Sequence, residues 1–402
     1  MLGSSHLLFL FKKCTKISNM KKILIVTKTS VDTISSCAYN LYQALKKEEE
    51  YDVYVYSIDQ SCNFSYPFEN IFPSPSNTTG LMGKIRIIKE LYRIKKEVAI
   101  DYSISTLTAF TAYNLLAFYK DEKIAIYHAP AKQALLSGWM TYFFCVCTIF
   151  FSNLFCKQLW VVSEEALDDI NKFSLFKRKN IKLYNIHYFD KIAARAMDDG
   201  NIYKNEKYIL YVGSIYELKG FDRLVRSFSK VAQSSKELNL LVCGSFRSKE
   251  YEKKILELID FYGLNDRIKF LGYQSNPYKY MKHSIALVSS SYTESLPGVI
   301  IEALSIGVPV ISTNSSKGIW EIFSVLDKYQ NKITTNFVCS DGYITPNTTL
   351  STDLERKVLN NDETCLANAI ISAEQNQIKP VFLFREKCME SSVLKKISLS
   401  IN

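Results

Sequence analysis

Two carboxylates stand in one short apolar stretch, SSYTESLPGVIIEALSIGVPVIST, residues 290–313. Glu294 comes just before a Ser-Leu-Pro-Gly turn, and Glu302 lies inside a helix-like run. The strand-like IALVSSS (285–291) leads into the turn, and a helix is predicted to begin near Gly298 or Val299. The first amides of such a helix have no internal partners, and its dipole is positive at that end. That is a ready anion site, and Gly298 lets a phosphate approach closely. Glu302 would sit about one turn further on, roughly 6 Å at 1.5 Å per residue. Each carboxylate accepts hydrogen bonds from vicinal hydroxyls. The pattern therefore suits a ligand with a phosphate centre and a hydroxyl-bearing group at each end, as in a nucleotide sugar.

Such a turn works only at the carboxyl end of a strand, and the chain supplies the strands. Apolar β-rich runs alternate with helical stretches, the mark of an α/β protein with parallel sheets. In the first half the predicted strands are ILIVT (23–27), DVYVYSI (52–58), AIDYSIS (99–105), KIAIYHA (123–129), QLWVVS (158–163) and IKLYN (181–185). Helical stretches lie between them, such as Cys37 to Glu49 and Gly83 to Glu97. ARAMDDGNIYKNEK (194–207) has few large apolar residues and reads as a linker. The pattern then restarts with YILYVGS (208–214), LNLLVCGS (238–245), IKFLGY (268–273), IALVSSS (285–291) and PVIST (309–313), with helices at 220–234 and 248–264. Two doubly wound sheets leave a cleft, and ligands in such sheets sit beyond the carboxyl ends of the strands.

The chain has 402 residues, enough for two domains, and 47% are hydrophobic, enough for sizeable cores. A net charge of +10 suits anionic partners or an anionic membrane surface, or is simply a lysine-rich surface. No basic helix or aromatic-basic motif points to nucleic acid. The ten cysteines form no C-x-x-C pair and no zinc-type spacing, as expected of a reducing cytosol without structural disulfides. The first 19 residues make a poor signal peptide, and MKKILIV from Met20 reads as the start of the fold. No charge occurs between Lys132 and Lys157. WMTYFFCVCTIFFSNLFC (139–156) is therefore a buried helix, an interfacial helix on an anionic leaflet, or a span.

The opening stretch and its surroundings resemble the family 4, or group 1, glycosyltransferases with the GT-B fold. Their E-x(7)-E signature is matched by Glu294 and Glu302. YVGSIYELKGFDRLVRSF, FLGYQSNPYKYM (270–281) and residues 288–322 are similar to the family's nucleotide domain. QLWVVSEEALDDI and IKLYNIHYFDKI resemble the stretch before its linker. The resemblance is strong over 208–322 and weak before about 155.

This resemblance implies two Rossmann-like domains facing each other across a cleft: an acceptor-side domain over 20–193, a linker over 194–207, and a nucleotide-sugar domain over 208–378. Residues 1–19 would lie outside the fold, and 379–402 would form a C-terminal helix returning to the first domain. The implied activity is retaining transfer of a hexosyl or N-acetylhexosaminyl group from a nucleotide sugar, with a UDP-linked donor expected. The acceptor would be a glycan or lipid-linked glycan in surface polysaccharide synthesis, on the cytoplasmic side and with peripheral membrane contact. Glu294 would meet the donor sugar, Glu302 the ribose, and Lys219 the diphosphate. Leu296, Gly298 and Val299 would bring the helix start to the phosphates, and Ser214 and Tyr273 would line the donor site. No metal and no cofactor are expected.

His128 is either a packed strand-end imidazole or a contact to sugar and phosphate. Glu321 is either functional or on a helix surface. The family often has Gly-Arg where this chain has Gly213-Ser214, and its glycine-rich first loop is replaced by KTSVDTISSC (28–37). Arg223 and Arg247 are the candidates to replace the lost charge. A silent nucleotide-sugar-binding protein and a sugar-nucleotide epimerase are the alternative readings.

Overall fold

A computed structural model describes residues 20–30, 33–59, 66–75, 78–348 and 356–401. The extension expected over 1–19 and part of the glycine-free loop at 28–37 lie outside those residues. The described residues divide into two compact units. One runs to Ile186 and takes in Glu390 onward; the other is His187–Met389.

The first unit holds a seven-stranded sheet of β1 (Lys21–Thr27), β2 (Tyr51–Ser57), β3 (Ile71–Pro73), β4 (Tyr102–Ser105), β5 (Glu122–Tyr127), β6 (Gln158–Val161) and β7 (Asn180–Lys182). Its order is β3-β2-β1-β4-β5-β6-β7, and every pair is parallel. Ile23, Leu24, Ile25 and Val26 are all fully buried. A run apolar on both faces is what a parallel strand covered by helices requires.

The second unit repeats the plan with β8 (Tyr208–Val212), β9 (Asn239–Cys243), β10 (Ile268–Gly272), β11 (Leu287–Ser289), β12 (Val310–Thr313), β13 (Phe337–Cys339) and β14 (Gly342–Thr345). The order is β10-β9-β8-β11-β12-β14-β13, parallel except for β13 against β14. The strand order reverses between β8 and β11, so loops leaving their carboxyl ends flank the crevice where such sheets bind ligands.

Sequence signals set the helix starts. Ser248 Oγ caps helix Lys249–Phe261 at the Tyr251 amide, 3.3 Å away, and Asn360 with Glu363 forms a capping box on helix Asn361–Gln375. Buried charges tie helix Phe221–Ser234 to that last helix. The Arg226 guanidinium donates to Glu363 at 2.7 Å and to Asp222, and Tyr251 donates to Asp222 at 2.9 Å.

Several expectations are corrected. The units part at Ile186/His187, not at 194–207. The supposed linker begins inside helix Phe189–Ala196, and its Asn201 is buried, donating to the Tyr208 hydroxyl at 2.9 Å. Strands β3, β13 and β14 were not predicted. The C-terminal run is not one helix. A 3₁₀ turn, Leu383–Cys388, and an extended Met389 precede helix Glu390–Ile401, which belongs to the first unit. Residues Trp139–Phe155 form a 17-residue helix, and no described helix is long and apolar enough to cross a membrane.

Candidate functional site

The loops that leave β8 and β11 are stitched together by hydrogen bonds to backbone carbonyls. The Tyr292 amide donates to Leu218 O at 2.9 Å, and Ser290 Oγ donates to Lys219 O at 3.1 Å. Gly220 has φ +60°, and a Cβ there would lie 2.2 Å from Ser290 O. Only glycine fits both the backbone conformation and the space. This seam carries Lys219 to Glu294: Nζ stands 2.6 Å from Oε1, with both side chains mostly buried. Ser291 Oγ donates to the same carboxylate oxygen at 2.7 Å. Burial works against the Lys219 charge, but the adjoining Glu294 carboxylate outweighs it and holds the amine above its ordinary range.

The charge missing at Ser214 returns from another loop. Arg247, beyond β9, donates from Nη2 to Ser214 Oγ at 3.4 Å and stacks over the Tyr216 ring at 4.3 Å. Arg223 is not available for this: it is buried, donates to Asn347 Oδ1 at 2.6 Å, and lies over Tyr292. Lys219 and Arg247 thus bring two cations to one strand end, with Glu294 between the β8 and β11 loops.

Helix Gly298–Ser305 starts after Pro297, and no side chain caps it. Leu296, Gly298 and Val299 are half-buried at this start. A Cβ on Gly298 would meet His187 Cε1 at 3.4 Å. Burial pushes the His187 imidazole down to about 4, so it is neutral near pH 7. Glu302 has other neighbours than Glu294. It is half-buried; burial pushes its carboxyl up to about 7, against the opposing pull of a Tyr278 hydrogen bond and the Arg195 charge. The two acids of the motif therefore sit in separate surroundings, one already ion-paired and one poised to titrate.

The remaining sequence candidates are dispersed. Tyr273 is 63% exposed, just past edge strand β10. Glu321 is buried, correcting the helix-surface reading. Its helix, Lys317–Ile322, packs close: a Cβ on Gly318 would lie 1.9 Å from Ser295 O. His128 belongs to the first unit, where it lines a small cavity with Thr106, Trp160 and Asn185. Of the two arginines that the sequence offered for the lost charge, Arg247 is the one that reaches Ser214, and His187 is the site residue that sequence reading missed. No local signal marked His187. Among the described residues, no cluster of three or more His, Cys, Asp or Glu side chains could hold a metal ion.

Residues 194–343 match the family described as Glycosyl transferases group 1. The chain is 31% identical over 213 residues to an uncharacterized glycosyltransferase of Methanocaldococcus jannaschii, covering 51% of this chain and 52% of that one. It is 30% identical over 162 residues to an N-acetylgalactosamine-N,N'-diacetylbacillosaminyl-diphospho-undecaprenol 4-alpha-N-acetylgalactosaminyltransferase of Campylobacter jejuni, covering 40% and 42%. It is 28% identical over 163 residues to the capsular polysaccharide biosynthesis glycosyltransferase CapH of Staphylococcus aureus, covering 40% and 44%. The matches thus span about half or less of these curated relatives. Among solved structures, Anabaena HepE in complex with UDP and glucose superposes with a TM-score of 0.71 at 13% identity, over 95% of this chain and 99% of that one.

Proposed function

We propose that this chain, whose residues 194–343 match the group 1 glycosyltransferases and whose fold is GT-B, is such an enzyme and moves a sugar from a UDP-linked donor to a lipid-linked or free glycan in surface polysaccharide assembly. The observation that carries this reading is the Lys219–Glu294 pair beside an uncapped helix start at the β8/β11 reversal. A donor entering there separates the pair. Its diphosphate takes Lys219, Arg247 and the helix amides, and its sugar hydroxyls take Glu294. Glu302 accepts from the ribose. His128 is the first unit's proposed contribution to the sugar and phosphate, and Tyr273 is a proposed lining of the donor site.

Transfer is proposed to retain the anomeric configuration. The bond between the anomeric carbon and the β-phosphate oxygen breaks, and its electron pair leaves with the diphosphate. The two cations and the helix dipole stabilise that developing charge. The acceptor hydroxyl adds to the anomeric carbon and gives its proton to the departing diphosphate. The reading calls on no cofactor beyond the donor. The Campylobacter jejuni relative, named for a diphospho-undecaprenol acceptor, supports a lipid-linked acceptor, and the Staphylococcus aureus relative supports a capsule-type product.

The test is a panel of nucleotide sugars incubated with diphospho-undecaprenol-linked glycans, with products detected by mass. One donor is expected to turn over, and Glu294→Ala is expected to lose about 10²–10³-fold in rate. Nucleotide binding without turnover on any acceptor would instead support a silent binding protein.

A further inference from the structure

Helix Trp139–Phe155 of the first unit is built inside out. Its buried positions include Thr148, Ser152 and Asn153 beside Cys145 and Ile149. The inward hydroxyls are satisfied internally: Ser152 Oγ donates to Thr148 O at 2.6 Å and lies 3.0 Å from the Tyr127 hydroxyl. The outward face carries Trp139, Met140, Phe143, Phe144, Phe151 and Phe155, 47–77% exposed. These residues recur at helical spacing, so they form one stripe. The helix holds no charged residue at all. An exposed aromatic stripe on a helix that turns Thr148, Ser152 and Asn153 inward marks an interaction surface.

The chemistry at its rim identifies the occupant. The turn at 174–180 is hydrogen-bonded to the end of the helix. Asn153 Nδ2 donates to Phe176 O at 3.1 Å, and the Phe176 amide donates back to Asn153 Oδ1 at 2.7 Å. Lys179 Nζ caps the helix, donating to the carbonyls of Asn153, Leu154 and Cys156 at 2.9, 3.1 and 3.0 Å. This turn, tied to the end of the helix, exposes Leu175 and Phe176 together with Lys177 and Arg178. Of the cations in 171–182, Lys172 pairs with Asp169, Lys182 with Glu164 and Lys179 with the helix end, while Lys177 and Arg178 are exposed. A second copy of this chain on the same face would add the same cations to the same rim. An anionic surface with an apolar interior complements both features. The helix has 17 residues, about 26 Å at 1.5 Å per residue, short of the ~30 Å hydrocarbon core, so it suits lying in a membrane rather than crossing it.

We infer that this face docks the protein on an anionic lipid bilayer, with the helix in the plane of the headgroups. This stands apart from the donor chemistry and is tested without a donor. Trp139 is 71% exposed, whereas Trp160 and Trp320 are fully buried, so its fluorescence reports docking selectively. The full chain is mixed with vesicles of equal parts phosphatidylglycerol and phosphatidylcholine, or of phosphatidylcholine alone. With the anionic vesicles the emission is expected to shift to the blue, to be quenched by brominated lipid, and to revert with added salt. Phe143→Ser/Phe151→Ser and Lys177→Glu/Arg178→Glu are each expected to weaken co-sedimentation by at least about tenfold, with unchanged near-ultraviolet circular dichroism. Absence of binding to anionic vesicles, equal binding by the folded variants, or self-association through this face without vesicle binding would each overturn the inference.

Discussion

Glu294 and Glu302 share one short stretch of sequence but sit in different surroundings. Glu294 is held by Lys219 and Ser291, whereas burial lifts the Glu302 carboxyl to about 7. With its folded value above the ordinary carboxylate range, the native state binds more protons than the unfolded chain between about 4.5 and 7. The Glu302 contribution to stability is therefore present below that window and is lost as pH rises through it. The proposed ribose contact runs the other way, because hydroxyls donate to the ionised form. UDP affinity is expected to be about tenfold weaker at pH 6 than at pH 8, since only about one carboxyl in ten is ionised at the lower pH. Calorimetric titration across this range checks it, and Glu302→Gln is expected to flatten the profile. His187, pushed down to about 4, stays neutral throughout and does not confuse the reading. Glu294, Glu302 and Lys219 were legible because their spacing and turn chemistry are local. The choice between Arg223 and Arg247 stayed open, and His187 was not legible, because Arg247 reaches Ser214 and His187 reaches Gly298 through the fold rather than along the chain.

Among the elements, the β8 and β11 loops set the geometry, and Gly220 is their tightest point. A Cβ there would strike Ser290 O at 2.2 Å on a left-handed backbone. Gly220→Ala is expected to cost about 1–3 kcal/mol of stability and to pull Lys219 away from Glu294. A thermal melt checks the first effect, and weaker nucleotide binding by the still-folded variant checks the second. The long parallel strands were readable because burial on both faces leaves continuous apolar runs such as Ile23–Val26. Strands β3, β13 and β14 are three or four residues long, too short to show a period, and β3 ends in Pro73. The supposed linker misled because helix Phe189–Ala196 buries only Phe189, Ile192 and Ala196.

Across the whole molecule, the chain passes from one unit to the other at Ile186/His187 and back at Met389/Glu390. The returning helix buries Val393, Ile397 and Ile401 in the first unit, and Tyr102 donates to Ile401 O at 2.8 Å. Length alone pointed to two domains, but the crossing points depend on packing that no local composition shift records. The second unit was the more legible because its site motifs lie at strand ends in chain order, and the family match at 194–343 falls within it. The central claim is that this unit grips a nucleoside diphosphate through Lys219 and the start of helix Gly298–Ser305. Isothermal titration of UDP and GDP into the full-length protein and its Lys219→Ala variant tests it most directly. One-site binding of UDP, weakened about 10–100-fold by the substitution, is the expected result; no binding of either nucleotide, or equal affinity in both proteins, would contradict it.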